Sequence, residues 1–266
     1  MPSSDELLVP DSIYPLLKTN TLGRVIRHYA EAGSTNDVAQ QLAAEGVEEG
    51  TLVLAEEQTQ GRGRLGRSWF SERHAGIYAS LVLRPRLKPR WAAILTLSAA
   101  VAASEAIERI CGLRADIKWP NDLLLNGLKC CGILSEMQAE AEAIRHLIVG
   151  IGINVNHTSL PEELRERASS LRIEGKQQYS RVRILCALLE SFENFYDAVQ
   201  EGNRALVIER WIQRSSFASG KAVTIDLGGK QVRGVTAGLG EIGTLRVRLP
   251  DGRVEEVMSG DVIGWR

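Results

Sequence analysis

Short apolar runs alternate with longer segments of helical period along most of the chain, and after residue 218 only short runs remain. Behind a lead-in over residues 1–23, VIRHY (25–29) predicts a first strand. Next, VAQQLAAEG predicts a short helix, with Ser34, Thr35 and Asn36 where an N-cap belongs and Gly46 where the helix should stop. TLVLAEE (51–57) and GIYASLVL (76–83) predict two more strands, joined by a loop that contains GRGRLGRSW. Residues 91–110 are alanine-rich, free of glycine and proline, and apolar nearly all round, as suits a helix buried against a sheet. Asn126–Gly127 between DLLL and LKCCGILSEM is the chain's clearest hairpin signal. AIRHLIVGIGINVN (143–156) predicts another strand with a glycine-containing exit. A polar connector, 157–180, leads to a long helical region over 181–215, with Leu188, Leu189, Phe192, Phe195 and Tyr196 at helical spacing.

From Ser219 on, Val-, Ile- and Leu-bearing strands alternate with GG, PDG and SGD turns. Such a short all-β module needs a neighbour to dock on. Two domains are therefore expected, 1–218 and 219–266.

Composition narrows the classes. Lys and Arg total 32 against 33 acids, so the net charge is −1 and the chain is no general polycation for nucleic acid. The longest uncharged stretch, Trp91 to Ser104, falls short of the roughly 20 residues of a membrane span. The opening MPSSDELLVPDS has no apolar run and does not read as a signal peptide. Cys111, Cys130, Cys131 and Cys186 show no framework spacing, so a reducing, cytoplasmic location is expected. Neither cysteines nor histidines have zinc-ligand spacing.

Both GxGxxG matches, 61–66 and 238–243, lack the strand-to-helix context of a dinucleotide fold, and nothing points to a flavin or nicotinamide. The first still places Arg62, Arg64 and Arg67 between glycines, where backbone and guanidinium groups can approach a phosphate or carboxylate; a solvated basic turn fits the same residues. Pro120 bends KWPND so that Lys118, Asn121 and Asp122 can meet at a strand end, with Asp122 suited to Mg²⁺ beside substrate phosphates, or merely to a turn. Lys129 lies in an apolar strand and needs an anionic partner or a route to solvent. Gly132 and Gly152 permit close approach to two strands. Ser34, Thr35, Asn36 and Gln58 suit an uncharged, hydrogen-bonding ring.

The order STN (34–36), EEQTQGRGRLGRSW (56–69), KWPND (118–122), LKCCGIL (128–134) and GIGINVN (150–156) resembles biotin–protein ligase over nearly the whole chain. The resemblance implies an α+β fold: a mixed-sheet catalytic domain flanked by helices, with a small C-terminal SH3-like β-barrel. It implies activation of biotin by ATP and Mg²⁺ to biotinyl-5′-AMP, then transfer to a lysine of a biotin carboxyl carrier domain, with acetyl-CoA carboxylase as the expected source. Ser34, Thr35 and Gln58 would hold the ureido ring, and Asn36, Gly61, Arg62, Gly132 and Gly152 would complete the biotin slot. Arg64 and Lys129 would be catalytic, meeting the biotin carboxylate and the α-phosphate. Arg67, Trp69, Lys118, Asn121, Asp122 and Asn154 would lie on the nucleotide side, Asp122 holding Mg²⁺. Too few residues precede STN for the family's DNA-binding domain, so a monofunctional enzyme without DNA or membrane partners is expected; a homodimer would form through the catalytic sheet. Lipoate or octanoyl transfer on the same fold, a nucleic-acid-binding module and a non-catalytic scaffold are the alternatives.

Overall fold

The computed structural model describes residues 7–265. Its strands are β1 (Ile26–Tyr29), β2 (Leu52–Ala55), β3 (Gly76–Leu83), β4 (Asp116–Lys118), β5 (Asp122–Leu125), β6 (Leu128–Ala139) and β7 (Ile144–Asn154), forming one mixed sheet in the order β1-β2-β3-β7-β6-β5-β4. Among the described residues six α-helices accompany it: α1 (Pro10–Ile13), α2 (Thr35–Ala44), α3 (Ala92–Cys111), α4 (Leu171–Gly175), α5 (Arg181–Gln200) and α6 (Ala205–Gln213). β1 and β2 are parallel because α2 carries the chain back between them. The β5–β6 hairpin turns on Asn126 and Gly127, both with positive φ (50° and 83°), as the Asn-Gly pair favours.

Side-chain alternation sorts the two faces of the sheet. Ile77, Ala79 and Leu81 of β3 and Val149, Ile151 and Ile153 of β7 enter the main core with α3 and α5. Val82 and Ile148 point the other way, into a smaller cluster with Ala39 and Ala43 of α2. On β7 this second face continues through Gly150, Gly152 and Asn154, beyond the patch that α2 covers.

Several sequence expectations need correction. The lead-in is part of the core: Leu8, Ile13, Leu17 and Leu22 are buried, and the Glu193 carboxylate accepts backbone N–H groups from Asn20, Thr21 and Leu22. Met1–Glu6 of the expected lead-in and opening lie outside the described residues. The helical region 181–215 is two helices, because Gly202 takes a left-handed φ of 91° and ends α5. Counting uncharged residues also understated one element. Pro89–Cys111 forms 23 residues of helix, long and apolar enough to cross a bilayer by length and composition alone. It is a core helix instead, with 67% of its most apolar window buried.

The C-terminal strands β8 (Ser219–Asp226), β9 (Gln231–Leu239), β10 (Leu245–Arg248), β11 (Val254–Val257) and β12 (Asp261–Trp265) form an antiparallel sheet ordered β11-β10-β9-β8-β12. This is the expected C-terminal β module, its barrel left open between β11 and β12, which do not pair among the described residues. The sheet docks by sharing the main core through Val223, Ile225 and Val247. Trp119 Nε1 also donates to the Gly243 carbonyl at 3.1 Å.

Candidate functional site

The glycine-bearing stretch of β7 floors a cavity of about 110 Å³, roofed by the arginine loop and closed at one side by the C-terminal sheet. Its lining includes Ser34, Thr35, Asn36, Gln58, Arg62, Arg64, Arg67, Trp69, Asn121, Asp122, Lys129, Gly132 and Gly152. These side chains separate by chemistry along the strands.

At the level of Gly150 and Leu134, which are cross-strand partners, lies a network of neutral side chains that ends at the Glu136 carboxylate. Gln58 Oε1 accepts from Thr35 N (2.8 Å) and Thr35 Oγ1 (3.1 Å), while Gln58 Nε2 donates to Ser71 Oγ (3.0 Å). Ser80 Oγ stands 2.8 Å from Thr35 Oγ1 and 2.6 Å from Asn36 Oδ1. Asn36 Nδ2 donates to Glu136 Oε2 at 2.7 Å. A Cβ on Gly150 would stand 2.0 Å from Asn36 Oδ1, so only glycine leaves Asn36 its place. The Ser34 side chain makes no cap bond to α2, which places it in the cavity wall and not in the capping role the sequence also allowed.

Two residues further along the same strands, at the Gly132–Gly152 pair, the character becomes cationic. Lys129 Nζ lies 2.6 Å from Asp122 Oδ1 and 5.4 Å from the centroid of the Trp69 ring. The Trp69 indole occupies the space that Gly132 and Gly152 leave: a Cβ there would meet its ring at 2.9 Å and 2.5 Å respectively. The close approach foreseen for a ligand is thus made first by a tryptophan. Its buried Nε1 has no hydrogen-bond partner among the described residues.

The loop arginines are held by carboxylates of the protein itself. Arg62 pairs with Asp37 (2.5 Å) and Glu136 (2.9 Å). Arg64 reaches Asp261 Oδ1 (3.1 Å), Asn121 Oδ1 (3.0 Å) and the Gly260 carbonyl (3.3 Å), and Arg67 reaches Asp261 Oδ2 (2.5 Å). One carboxylate of the C-terminal sheet therefore restrains two cations of the arginine loop. Behind the loop, a buried ion pair between Arg181 and Glu56 (2.7 Å) anchors the chain leaving β2. Burial alone would raise the Glu56 pKa, but Arg181, the Leu8 N–H and His74 hold it below the ordinary carboxylate value.

Three expected site residues stand outside this cavity. Gly61 packs its backbone beneath Trp69, whose N–H it accepts at 2.8 Å. Lys118 backs Asp122 from β4, 4.0 Å from its Oδ2 and 4.4 Å above the Trp265 ring; burial lowers its pKa, Asp122 partly offsets the fall and Lys129 adds to it. Asn154 donates to the Ser169 carbonyl and faces a neighbouring cavity of about 150 Å³ beyond Trp69, which Lys129, Phe70 and Arg167 also line. Conversely, sequence reasoning missed Ser71, Ser80, Glu136 and Asp261. Ser80 had one signal, a lone hydroxyl inside an apolar strand; Asp261 lies in an ordinary SGD turn and had none.

Together the fold and slot define a small-molecule site of a mixed-sheet α+β protein, with an uncharged recognition end and a cationic end. Residues 30–154 match the biotin/lipoate A/B protein ligase family. The chain is 33% identical over 243 residues to a biotin–[acetyl-CoA-carboxylase] ligase of Mycobacterium tuberculosis, spanning 89% of this chain and 88% of that one. It is 44% identical over 182 residues to a bifunctional ligase/repressor, BirA, of Bacillus spizizenii, covering 68% of this chain but only 56% of that protein. Among solved structures, the biotin protein ligase of Aquifex aeolicus in complex with biotin and ATP superposes with a TM-score of 0.78 at 30% identity, covering 91% and 99% of the two chains. The chain belongs to the biotin/lipoate A/B protein ligase family.

Proposed function

We propose that the chain activates biotin with ATP and transfers it to a lysine of a biotin carboxyl carrier domain. One observation carries the reading: on one face of the sheet, two residues separate an uncharged hydrogen-bonding network from a cluster of Lys129, Arg64 and Arg67. Thr35, Asn36, Gln58 and Ser80 offer donors and acceptors that a neutral cyclic urea can join, whereas a dithiolane carries no N–H or carbonyl to meet them. The cationic end suits a carboxylate meeting a triphosphate, two anions that repel until cations neutralise both. The carboxylate oxygen attacks the α-phosphorus, the bond to the β-phosphate bridging oxygen breaks, and pyrophosphate leaves with the electron pair. Lys129 would exchange Asp122 for the ligand, and Arg64 would exchange Asp261 for phosphate oxygens. Trp69 offers its ring face to the base in the cavity that Asn154 borders.

Among the described residues no three His, Cys, Asp or Glu side chains converge as a metal site. Asp122 as a single ligand fits a Mg²⁺ that arrives with the triphosphate, keeps most of its water and supplies charge neutralisation. Similarity to the mycobacterial biotin–[acetyl-CoA-carboxylase] ligase supports acetyl-CoA carboxylase as the source of the carrier domain. The described cysteines are unpaired, which supports action in a reducing cytoplasm. Pyrophosphate exchange into ATP with biotin, with lipoate and with neither acid tests the reading. Exchange with biotin alone is expected; exchange with lipoate alone would overturn the substrate, and exchange with neither the activity.

A further inference from the structure

A second cavity, of about 160 Å³, opens between the start of α3, the bend at Pro120 and the C-terminal sheet. It shares Arg64, Asn121 and Ile133 with the catalytic cavity, and the Arg64–Asn121 hydrogen bond (3.0 Å) is the partition between the two. Asn121 is fixed by donating to the Ile133 carbonyl at 2.7 Å, so Arg64 is the movable half, carried on a loop between Gly63 and Gly66. The walls are Leu97 and Pro120, the Thr96–Ser135 hydroxyl pair (2.8 Å) lies inside, and Ala93, Met258 and Ser259 form an exposed rim, with Met258 68% exposed. Among the described residues no carboxylate lines it.

Resting on the function proposed above, we infer that this cavity is the channel by which the acceptor lysine of the carrier domain reaches the activated acyl group. Its shape and chemistry argue for a long aliphatic side chain ending in an amine. Apolar walls accept the methylenes, and the inner end abuts the cationic centre where the acyl phosphate would form. A lysine entering there passes apolar walls with no lining carboxylate and reaches Arg64, whose own counter-ion is Asp261, so desolvation along the channel favours the neutral amine, the form that is a nucleophile. The amine sheds its ammonium proton to bulk water on entry. Its lone pair attacks the acyl carbon, the C–N bond forms, and the bond from that carbon to the phosphate oxygen breaks, AMP leaving with the electron pair. The proton left on the new amide nitrogen passes to water. Arg64 separates the cavities until it turns to phosphate, which ties the opening of the channel to the presence of the adenylate.

The test narrows the channel at its exposed rim, away from the reacting groups. Ala93→Trp and, from the opposite wall, Ser259→Trp are assayed for biotin-dependent pyrophosphate exchange, for trapping of the adenylate by hydroxylamine, and for biotin transfer to a carrier domain of acetyl-CoA carboxylase. Exchange and hydroxylamine trapping are expected within about twofold of the unsubstituted chain, with transfer reduced roughly tenfold or more and Ala93→Ser normal in all three. Undiminished transfer in both tryptophan variants would overturn the channel, as would a parallel loss of exchange and transfer in variants with unchanged melting temperature. An unsubstituted chain with no biotin-dependent exchange would instead overturn the proposed function, and the channel with it.

Discussion

Replacing Asp261 by Asn tests whether the C-terminal sheet holds the arginine loop. Asp261 is 12% exposed and accepts from Arg64, itself 23% exposed, and from Arg67, 64% exposed. A charged hydrogen bond as sheltered as the Arg64 one contributes about 1.5–3 kcal/mol, and the Arg67 pair, open to water, about 0–1 kcal/mol. Asparagine keeps the shape and loses the charge, so the folded loop should lose roughly 2 kcal/mol relative to its open form. At 1.4 kcal/mol per tenfold, the open population rises about 30-fold. The readout is amide hydrogen exchange at Gly63, Arg67 and Trp69, whose N–H groups are bonded within the loop to Arg67, Arg64 and Gly61 carbonyls at 2.7, 3.2 and 2.8 Å. Those amides should exchange about 30-fold faster while the β3 and β7 amides stay unchanged. Exchange within twofold of the parent would show that the loop's own backbone bonds hold it and that Asp261 is incidental.

Other consequences can be checked independently. Lys129→Ala removes the cation nearest Asp122 and the Trp69 face, and should lower biotin-dependent exchange by about 100-fold or more; near-normal exchange would remove Lys129 from the chemistry. Gly150→Ala drives a methyl to within 2.0 Å of Asn36 Oδ1, so Asn36 must leave the network. It should cost about 1–3 kcal/mol of stability and weaken biotin binding by calorimetry, and unchanged affinity would refute the network's role. His157 is buried against Tyr78 and Phe70, and burial, aided by the Arg181 charge, lowers its pKa from 6.5 to about 4. Because the unfolded chain binds this proton first, stability is full above pH 6.5 and falls as pH drops toward 4, by about 3 kcal/mol in total. His157→Phe should flatten denaturation midpoints across that window, whereas a retained slope would assign it to another group.

What the sequence by itself determined is local. Alternation, the Asn-Gly turn and the glycine-free run 91–110 encode β3, the β5–β6 hairpin and α3, because these depend on neighbours a few residues apart. The grouping of cations and carboxamides in GRGRLGRSW and KWPND was also legible, but not their partners, since the loop arginines meet Asp37, Glu136 and Asp261 of the protein itself. Tertiary structure decided the remainder. Whether Lys129 faces solvent or Asp122 depends on the pairing of β5 with β6. Gly132 and Gly152 are opposite one another only because β6 and β7 pair in that register, and only then do they shelter one indole. Asp261 reaches Arg64 across 197 positions of chain because the C-terminal sheet docks beside the loop. No local pattern encodes such a contact, for its energy comes from burying two distant surfaces together. The division of the cavity into a neutral and a cationic end likewise exists only once the strands are in register.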